Sequence, residues 1–302
     1  MPISPSAHPG VDVSRQVRAF AWAVAGLLAC YGSILARLGQ FAFEREFNSY
    51  IVLVPIIALG LAWTKGHSWP AFSEPRRSLG IAFSAAGLLA LGCYWGADRT
   101  GVGLLNERLA LGTLSFVLLL VGVAAWFLGR QTLRAIAFPL AFLLCMIPLP
   151  DSLTTGLEHI LQHASASVAN IFFQMSDLPV FRRDDLDFQL PGITLQVAPE
   201  CSGIQSSVAL LVVSLAAGYV FLRSPWKRAL LCVVVIPISI IRNALRINTI
   251  GELCAHLGPQ MIDSYIHRQG GWIFFLASLV PFFILTYFLA RSEQRLATKI
   301  QA

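Results

Sequence analysis

The sequence predicts an all-α integral membrane protein with about eight transmembrane helices. Two observations carry this expectation. Hydrophobic residues make up 56% of the 302 residues and charged residues only 13%, about half the charged share of an average soluble protein. A water-soluble globule covers itself with polar side chains, and this chain has too few of them. The apolar residues also gather in runs close to the 20 or so residues that a helix needs to cross a bilayer. The same shortage of charge disfavours a soluble enzyme, a disordered chain, a collagen-like rod and a nucleic-acid-binding domain. No repeat, charge block or long low-complexity segment divides the chain, so residues 1–302 are expected to form a single polytopic domain.

Apolar runs lie at 19–36, 50–64, 79–96, 109–128, 133–149, 203–222, 228–245 and 271–290. They define a core over 19–290, with short tails at 1–18 and 291–302. The second and fifth runs are short. Pro55, Pro139, Pro237 and Pro281 fall inside runs, where neighbouring helices can satisfy the backbone carbonyls that proline frees. Leu27-Leu28-Ala29-Cys30 resembles a lipoprotein cleavage box, but the apolar run continues past Cys30. The first run is therefore expected to stay as an anchor.

Orientation follows from Lys/Arg bias in short loops. An even number of spans puts both termini on one side. That side collects 13 of the 22 Lys/Arg and only 3 of the 16 Asp/Glu, and is expected to be cytoplasmic. The net charge of +6 then reports orientation, and no nucleic-acid partner is implied.

The longest stretch between spans, 151–202, faces outward in this scheme. Over about 152–175, Leu153, Leu157, Ile160, Leu161, Val168 and Ile171 recur at helical spacing, which predicts an amphipathic helix lying at the interface or packing on the bundle. The period then changes. Leu186, Phe188 and Leu190 alternate, and so do Ile193, Leu195 and Val197 after Pro191-Gly192. Alternation on both sides of a Pro-Gly turn predicts a small β-hairpin between the fifth and sixth spans. The hairpin delivers the chain into Pro199-Glu200-Cys201-Ser202-Gly203 at the start of the sixth span.

Six cysteines (30, 93, 145, 201, 232 and 254) show no metal-like or framework spacing. Cys30, Cys93, Cys145 and Cys232 lie inside runs, where a thiol acts as a small apolar filler. Cys201 stands where a helix begins. Ser202 followed by Gln205 is a capping-box pattern, and helix-end amides favour a thiolate. Read alone, Cys201 fits a buried structural cysteine better than a nucleophile. Cys254 also falls outward, which leaves a Cys201–Cys254 disulfide conceivable.

The seventh run ends in Ile241-Arg242-Asn243-Ala244-Leu245-Arg246-Ile247-Asn248. An arginine near a membrane helix end commonly snorkels to the headgroups. Arg242 and Arg246, four apart, share a helix face and stand against the basic-inside trend, which hints at a local task. His267, in Tyr265-Ile266-His267-Arg268 before the last run, is a loop histidine that could simply be solvated. Topology nevertheless brings Cys201, Arg246 and His267 to one side of the membrane. A cysteine nucleophile needs a base and a cation, and acyl transfer needs a donor for the oxyanion.

Cys201-Ser202-Gly203 with its Val197 lead-in, the Asn243-Ala244-Leu245-Arg246-Ile247 string and His267 together resemble the exosortase/archaeosortase (EpsH-like) family. The resemblance covers roughly residues 20–290, with its specific motifs between 193 and 275. It implies a catalytic Cys-Arg-His set at Cys201, Arg246 and His267, with Arg242, Ser202, Asn243 and Arg268 as secondary candidates. It also implies substrates that are membrane proteins with a C-terminal Pro-Glu-Pro-type (PEP-CTERM) sorting signal, a membrane helix and a basic tail. The setting it implies is the bacterial inner membrane, with the active site on the periplasmic side and a link to exopolysaccharide production.

The resulting expectation is a thiol protease or transpeptidase. Cys201 attacks a peptide carbonyl and forms a thioester, His267 moves the proton, and Arg246 stabilises the thiolate or oxyanion. A guanidinium about 4 Å from a thiolate contributes about 4 kcal/mol at an effective dielectric of 20. No cofactor or metal is expected. His159 and His163, four apart on a helix, are the one pair that suggests a metal, but no His-Glu-x-x-His motif accompanies them. From another class, the alternative is a transporter or scaffold component of polysaccharide export without proteolytic activity.

Overall fold

Without water inside a bilayer, a chain must satisfy its own backbone groups, and the apolar runs do so as helices. The structure, a computed structural model, describes residues 13–44, 48–65, 76–101, 103–176, 179–190, 193–198, 202–263 and 270–301. The helices are α1 (Val13–Cys30), α2 (Gly32–Glu44), α3 (Tyr50–Lys65), α4 (Arg77–Thr100), α5 (Leu105–Phe127), α6 (Gly129–Ala135), α7 (Ala137–Phe142), α8 (Asp151–Met175), α9 (Ile204–Phe221), α10 (Pro225–Leu257) and α11 (Gly271–Gln301). Short 3₁₀ turns follow α7 at Leu143–Met146 and α10 at Pro259–Asp263. Strands β1 (Phe181–Asp184), β2 (Asp187–Leu190) and β3 (Ile193–Gln196) lie between α8 and α9.

Among the described residues, five helices are long and apolar enough to cross a membrane: α4, α5, α9, α10 and α11 over Gly271–Arg295. Counting each of two bent helix pairs as one span raises the number to seven. The eight predicted runs map onto these five helices, the two bent pairs and α3, whose 16 residues make it shorter than a full span. The first run is not straight. It breaks at Tyr31, and the helices on either side of the break meet at 63°. The Tyr31 hydroxyl bonds Ser115, whose own hydroxyl donates to the Gly87 carbonyl at 2.7 Å. A tyrosine buried in an apolar setting needs such a partner. The fifth run is divided into α6, α7 and the 3₁₀ turn, around Ile136 and Pro139.

Packing separates the chain into two units, one ending at Asp151 and one starting at Ser152. In the first unit α4 and α5 form an antiparallel pair beside α1 and α2. Arg37 and Arg108 both approach the Asp98 carboxylate, at 3.8 and 3.3 Å. Large apolar side chains point away from the protein along the helices of this unit, with Trp22 on α1 77% and Trp63 on α3 78% exposed. In water this would be a liability, whereas lipid tails solvate it without cost.

The second unit carries the insertion and the last three helices. The predicted amphipathic helix is present as α8, over Asp151–Met175. Its buried face is not the aliphatic one, however. Leu153 is 56% and Ile160 64% exposed, and Ile171 also faces outward. Gln162, Ser165, Ala166, Ala169 and Phe173 face the protein instead. The small residues let α8 approach its neighbours closely, as helix interfaces in membranes require.

The predicted hairpin is present in register. β2 and β3 pair antiparallel from Leu190↔Ile193 to Asp187↔Gln196, while Pro191-Gly192 lies outside the described residues. A third strand, β1, carries no alternating pattern of its own, and it pairs antiparallel with β2 to make the sheet order β1-β2-β3. Phe188, Leu190, Leu195 and Val197 from the sheet side enter one buried cluster with Ala166, Ala169 and Phe173 of α8. Ala244, Ile247, Ile250 and Cys254 of α10 complete it.

α10 corrects a boundary. Hydropathy places the end of the seventh run near residue 245, but the helix continues to Leu257, 33 residues in all. At 1.5 Å per residue it measures about 50 Å, against a hydrocarbon core of about 30 Å. The extension is helical because Ala244, Ile247, Ile250 and Cys254 repeat the helical spacing and pack under α8 and the sheet. Gly251 permits this approach: a Cβ there would sit 2.6 Å from the Phe173 ring. Cys254 is a free, buried thiol in that core.

The other ends of α9, α10 and α11 are joined by a polar lock. Lys227 is buried. Its Nζ lies 3.8 Å from the Glu293 carboxylate and donates to Ser292 Oγ at 2.7 Å and to the Leu289 carbonyl at 3.3 Å. The Glu293 oxygens also accept the backbone N–H groups of Arg223 and Ser224, at 2.8 and 2.9 Å. Arg228 donates twice to the Leu222 carbonyl, at 2.9 and 2.7 Å. These bonds satisfy the turn between α9 and α10 where the chain reverses.

Candidate active site

The start of α9 is built around Gly203. Its φ of +72° is left-handed, a conformation that glycine adopts without penalty. A side chain there would also have no room. A Cβ would lie 2.9 Å from the Arg242 guanidinium and 2.9 Å from the Asn243 amide. Two independent constraints thus demand the glycine of Cys-Ser-Gly. The Ser202 capping box is not what forms. Gly203 is the N-cap residue, and Ser202, buried, accepts the Ile204 N–H at a long 3.4 Å.

The Gly203 carbonyl is the most heavily used acceptor at this turn. It receives the Ser207 backbone N–H at 3.1 Å, the Ser206 hydroxyl at 3.1 Å and the Ser207 hydroxyl at 2.8 Å. Arg242 adds its Nη2 at 3.0 Å. A carbonyl that collects a charged donor beside the helix bond anchors the α9 terminus to α10.

Arg242 does not snorkel. It is only 6% exposed, and α10 continues for 15 residues beyond it, so it is not at a helix end. Its Nη1 is buried without a hydrogen-bond partner among the described residues. Asn243 is buried beside it and Arg246 lies one turn further on, partly buried. Ser239, Arg242, Asn243 and Arg246 fall on one stripe of the helix. A guanidinium buried away from water exerts a stronger field than one in water, so this stripe is a suitable place for developing negative charge.

The approach to Cys-Ser-Gly is held on its other flank. Val197 donates its N–H to the Leu186 carbonyl at 2.9 Å, and its own carbonyl accepts Gln162 Nε2 at 2.6 Å. Gln162 is 6% exposed. Nothing in the sequence singled it out. Its one signal is a long amide side chain beside the small residues Ser165, Ala166 and Ala169.

Of the candidate residues, the structure brings Ser202, Arg242 and Asn243 together around Gly203 and places Arg246 on the same helix. Cys201, His267 and Arg268 lie outside the described residues; Cys201 is joined directly to Ser202, and His267 stands in the chain between the 3₁₀ turn ending at Asp263 and the start of α11. The His159 and His163 rings approach with their Nε2 atoms 3.1 Å apart on the outer side of α8. No group of three or more His, Cys, Asp or Glu side chains that could hold a metal gathers among the described residues.

Comparison with protein families finds a match over residues 42–284 to the transmembrane exosortase family. The matched region reaches into both packing units and includes every motif residue described above. The chain belongs to the transmembrane exosortase family. It is therefore a multi-pass membrane protein of a sortase-like enzyme family. Searches of curated proteins and of solved structures give no significant match. Within this exosortase, the Gly203–Arg242 turn joins the two motif strings.

Proposed function

We propose that this exosortase is a membrane cysteine peptidase or transpeptidase that cleaves C-terminal PEP-CTERM-type sorting signals through a thioester intermediate. The observation that carries the reading is the buried guanidinium of Arg242 seated on the turn that immediately follows Cys201. A buried cation at a helix N-terminus favours negative charge there, and both the thiolate and the tetrahedral intermediate need that support.

In the proposed reaction, His267 takes the thiol proton of Cys201 as the sulfur attacks the scissile carbonyl carbon. The C–N bond then breaks, and His267 returns the proton to the leaving amine. The acyl group remains on sulfur as a thioester until an amine, hydroxyl or water takes it. Arg246, from the Asn243-x-x-Arg246 match, supplies the charge opposite the thiolate or oxyanion. Arg242 holds the turn with Ser202 and Asn243 beside it, and Arg268 is a further candidate for the cation.

The setting in this reading is a bacterial inner membrane with both termini cytoplasmic and Cys201 on the periplasmic side. The substrates are membrane proteins whose sorting signal, membrane helix and basic tail dock along the helices. The test is processing of a tagged substrate of this type by Cys201→Ser. Loss of cleavage with retained membrane insertion is expected; normal cleavage by this variant would sink the nucleophile assignment.

A further inference from the structure

We propose that Gln162, on α8, is a positioning residue for the nucleophile: its side chain fastens the chain at Val197, four residues ahead of Cys201. The inference rests on the reading of Cys201 as nucleophile and adds to it a residue from outside the sequence motif.

β3 ends at Gln196. Val197, the next residue, stands opposite Leu186 in the same register, and both its backbone polar groups are satisfied. Its N–H goes to the Leu186 carbonyl at 2.9 Å, and its carbonyl takes the Gln162 amide at 2.6 Å. Val197 itself is buried in the cluster beneath the sheet, and a buried carbonyl without a donor is strongly disfavoured. Gln162 reaches it from a different element, so the end of the sheet is tied to α8. On the far flank the Gly203 carbonyl is tied to α10 through Arg242. Cys201 thus stands in the chain between two points, Val197 and Gly203, that are fastened to two different helices.

This arrangement suits a nucleophile carried between elements. A reacting group must be held to within about 0.5 Å, and a connecting segment achieves that only when its ends are fixed. Releasing one end lets the segment shift, and a displacement of about 1 Å costs about a hundredfold in rate. With substrate docked along the helices as proposed above, Gln162 has no substrate contact of its own, so the loss falls on turnover.

The test uses the full chain reconstituted in lipid, with a tagged sorting-signal substrate. Gln162→Met keeps the volume and removes the donor. It is expected to lower kcat about tenfold to a hundredfold with KM unchanged, and to alter the pH profile of Cys201 alkylation followed by mass spectrometry. Gln162→Glu adds a second, independent readout. As a carboxylate it repels the Val197 carbonyl, and once protonated it can donate to it. Its activity relative to the wild type at the same pH should therefore recover as pH falls.

A Gln162→Met protein with wild-type kcat and an unchanged alkylation profile, beside an inactive Cys201→Ser, overturns the inference alone. The inference falls equally if Gln162→Glu shows no recovery relative to the wild type on acidification, which also decides the matter should the Met variant fail to fold. Full activity of Cys201→Ser overturns the underlying reading instead, whatever Gln162 does.

Discussion

Arg242 Nη2 lies 3.0 Å from the carbonyl oxygen of Gly203, linking the middle of α10 to the first turn of α9 across 39 positions of sequence. The glycine is required both by its φ of +72° and by the 2.9 Å that a Cβ would leave to the guanidinium. The pair converts a short sequence motif into a fixed turn.

Gly203→Ala is expected to inactivate the protein and lower its stability. The left-handed backbone alone costs an alanine roughly 1–2 kcal/mol, and the new methyl group meets Arg242 and Asn243. Cleavage of a tagged substrate together with the thermal unfolding midpoint in detergent measures both effects. Wild-type values for both would show that the turn tolerates a side chain.

The two arginines are expected to separate by chemistry. Arg246→Gln should lose about 10²–10³ in kcat, as removal of an oxyanion donor does, because a neutral amide cannot replace its charge. Arg242→Gln keeps a donor that can reach toward the Gly203 carbonyl, so it should retain more activity than Arg242→Met. Kinetics of the three variants decide the assignment. If Arg242→Gln is as inactive as Arg242→Met while Arg246→Gln turns over normally, the catalytic cation is Arg242.

A membrane-impermeant thiol reagent applied to intact inner-membrane spheroplasts should modify Cys201 from the periplasmic side. Cys254 is buried in the core beneath the sheet and should stay unmodified until the protein unfolds. Modification of Cys201 only in inverted vesicles would reverse the proposed orientation.

Gly251→Ala should destabilise the packing of α8 on α10. Its methyl group would sit 2.6 Å from the Phe173 ring, and overpacking of this kind costs about 1–3 kcal/mol. Shrinking the ring with Phe173→Leu in the same chain should restore part of the loss. Unfolding midpoints for the single and double variants test this, and strictly additive losses would mean that the two positions do not interact.

Lys227→Met leaves Glu293 without its buried cation and should lower stability by on the order of 3 kcal/mol. The double variant Lys227→Met/Glu293→Gln should be less affected, since no uncompensated charge remains and the Arg223 and Ser224 N–H groups still have an acceptor. A double variant less stable than either single one would show that the lock acts through something other than charge pairing.

The elements that local pattern can dictate were legible in the sequence. Long apolar runs specify membrane helices because the bilayer is the solvent. The change from helical spacing to alternation across 171–190 specifies the switch from α8 to the β2–β3 pair. The Cys201-Ser202-Gly203 and Asn243–Ile247 strings carry the family likeness, and the family match over 42–284 agrees with it. The left-handed turn at Gly203 was not read from the sequence, where the pattern of Ser202 and Gln205 suggested a different N-cap.

Tertiary structure alone decided which faces meet. In a bilayer, burial against protein and burial against lipid look alike in hydropathy, so Leu153 and Ile160 could not be told from the packed face formed by Ala166, Ala169 and Phe173. For the same reason hydropathy stops α10 near residue 245, between Arg242 and Arg246, whereas the helix continues because residues 244–254 have a sheet and a helix to pack against. Contacts between distant segments, Gln162 with Val197, Arg242 with Gly203 and Lys227 with Glu293, leave no periodic trace. Each depends on the donor and acceptor arriving at one point in space, and only the packed helices bring them there.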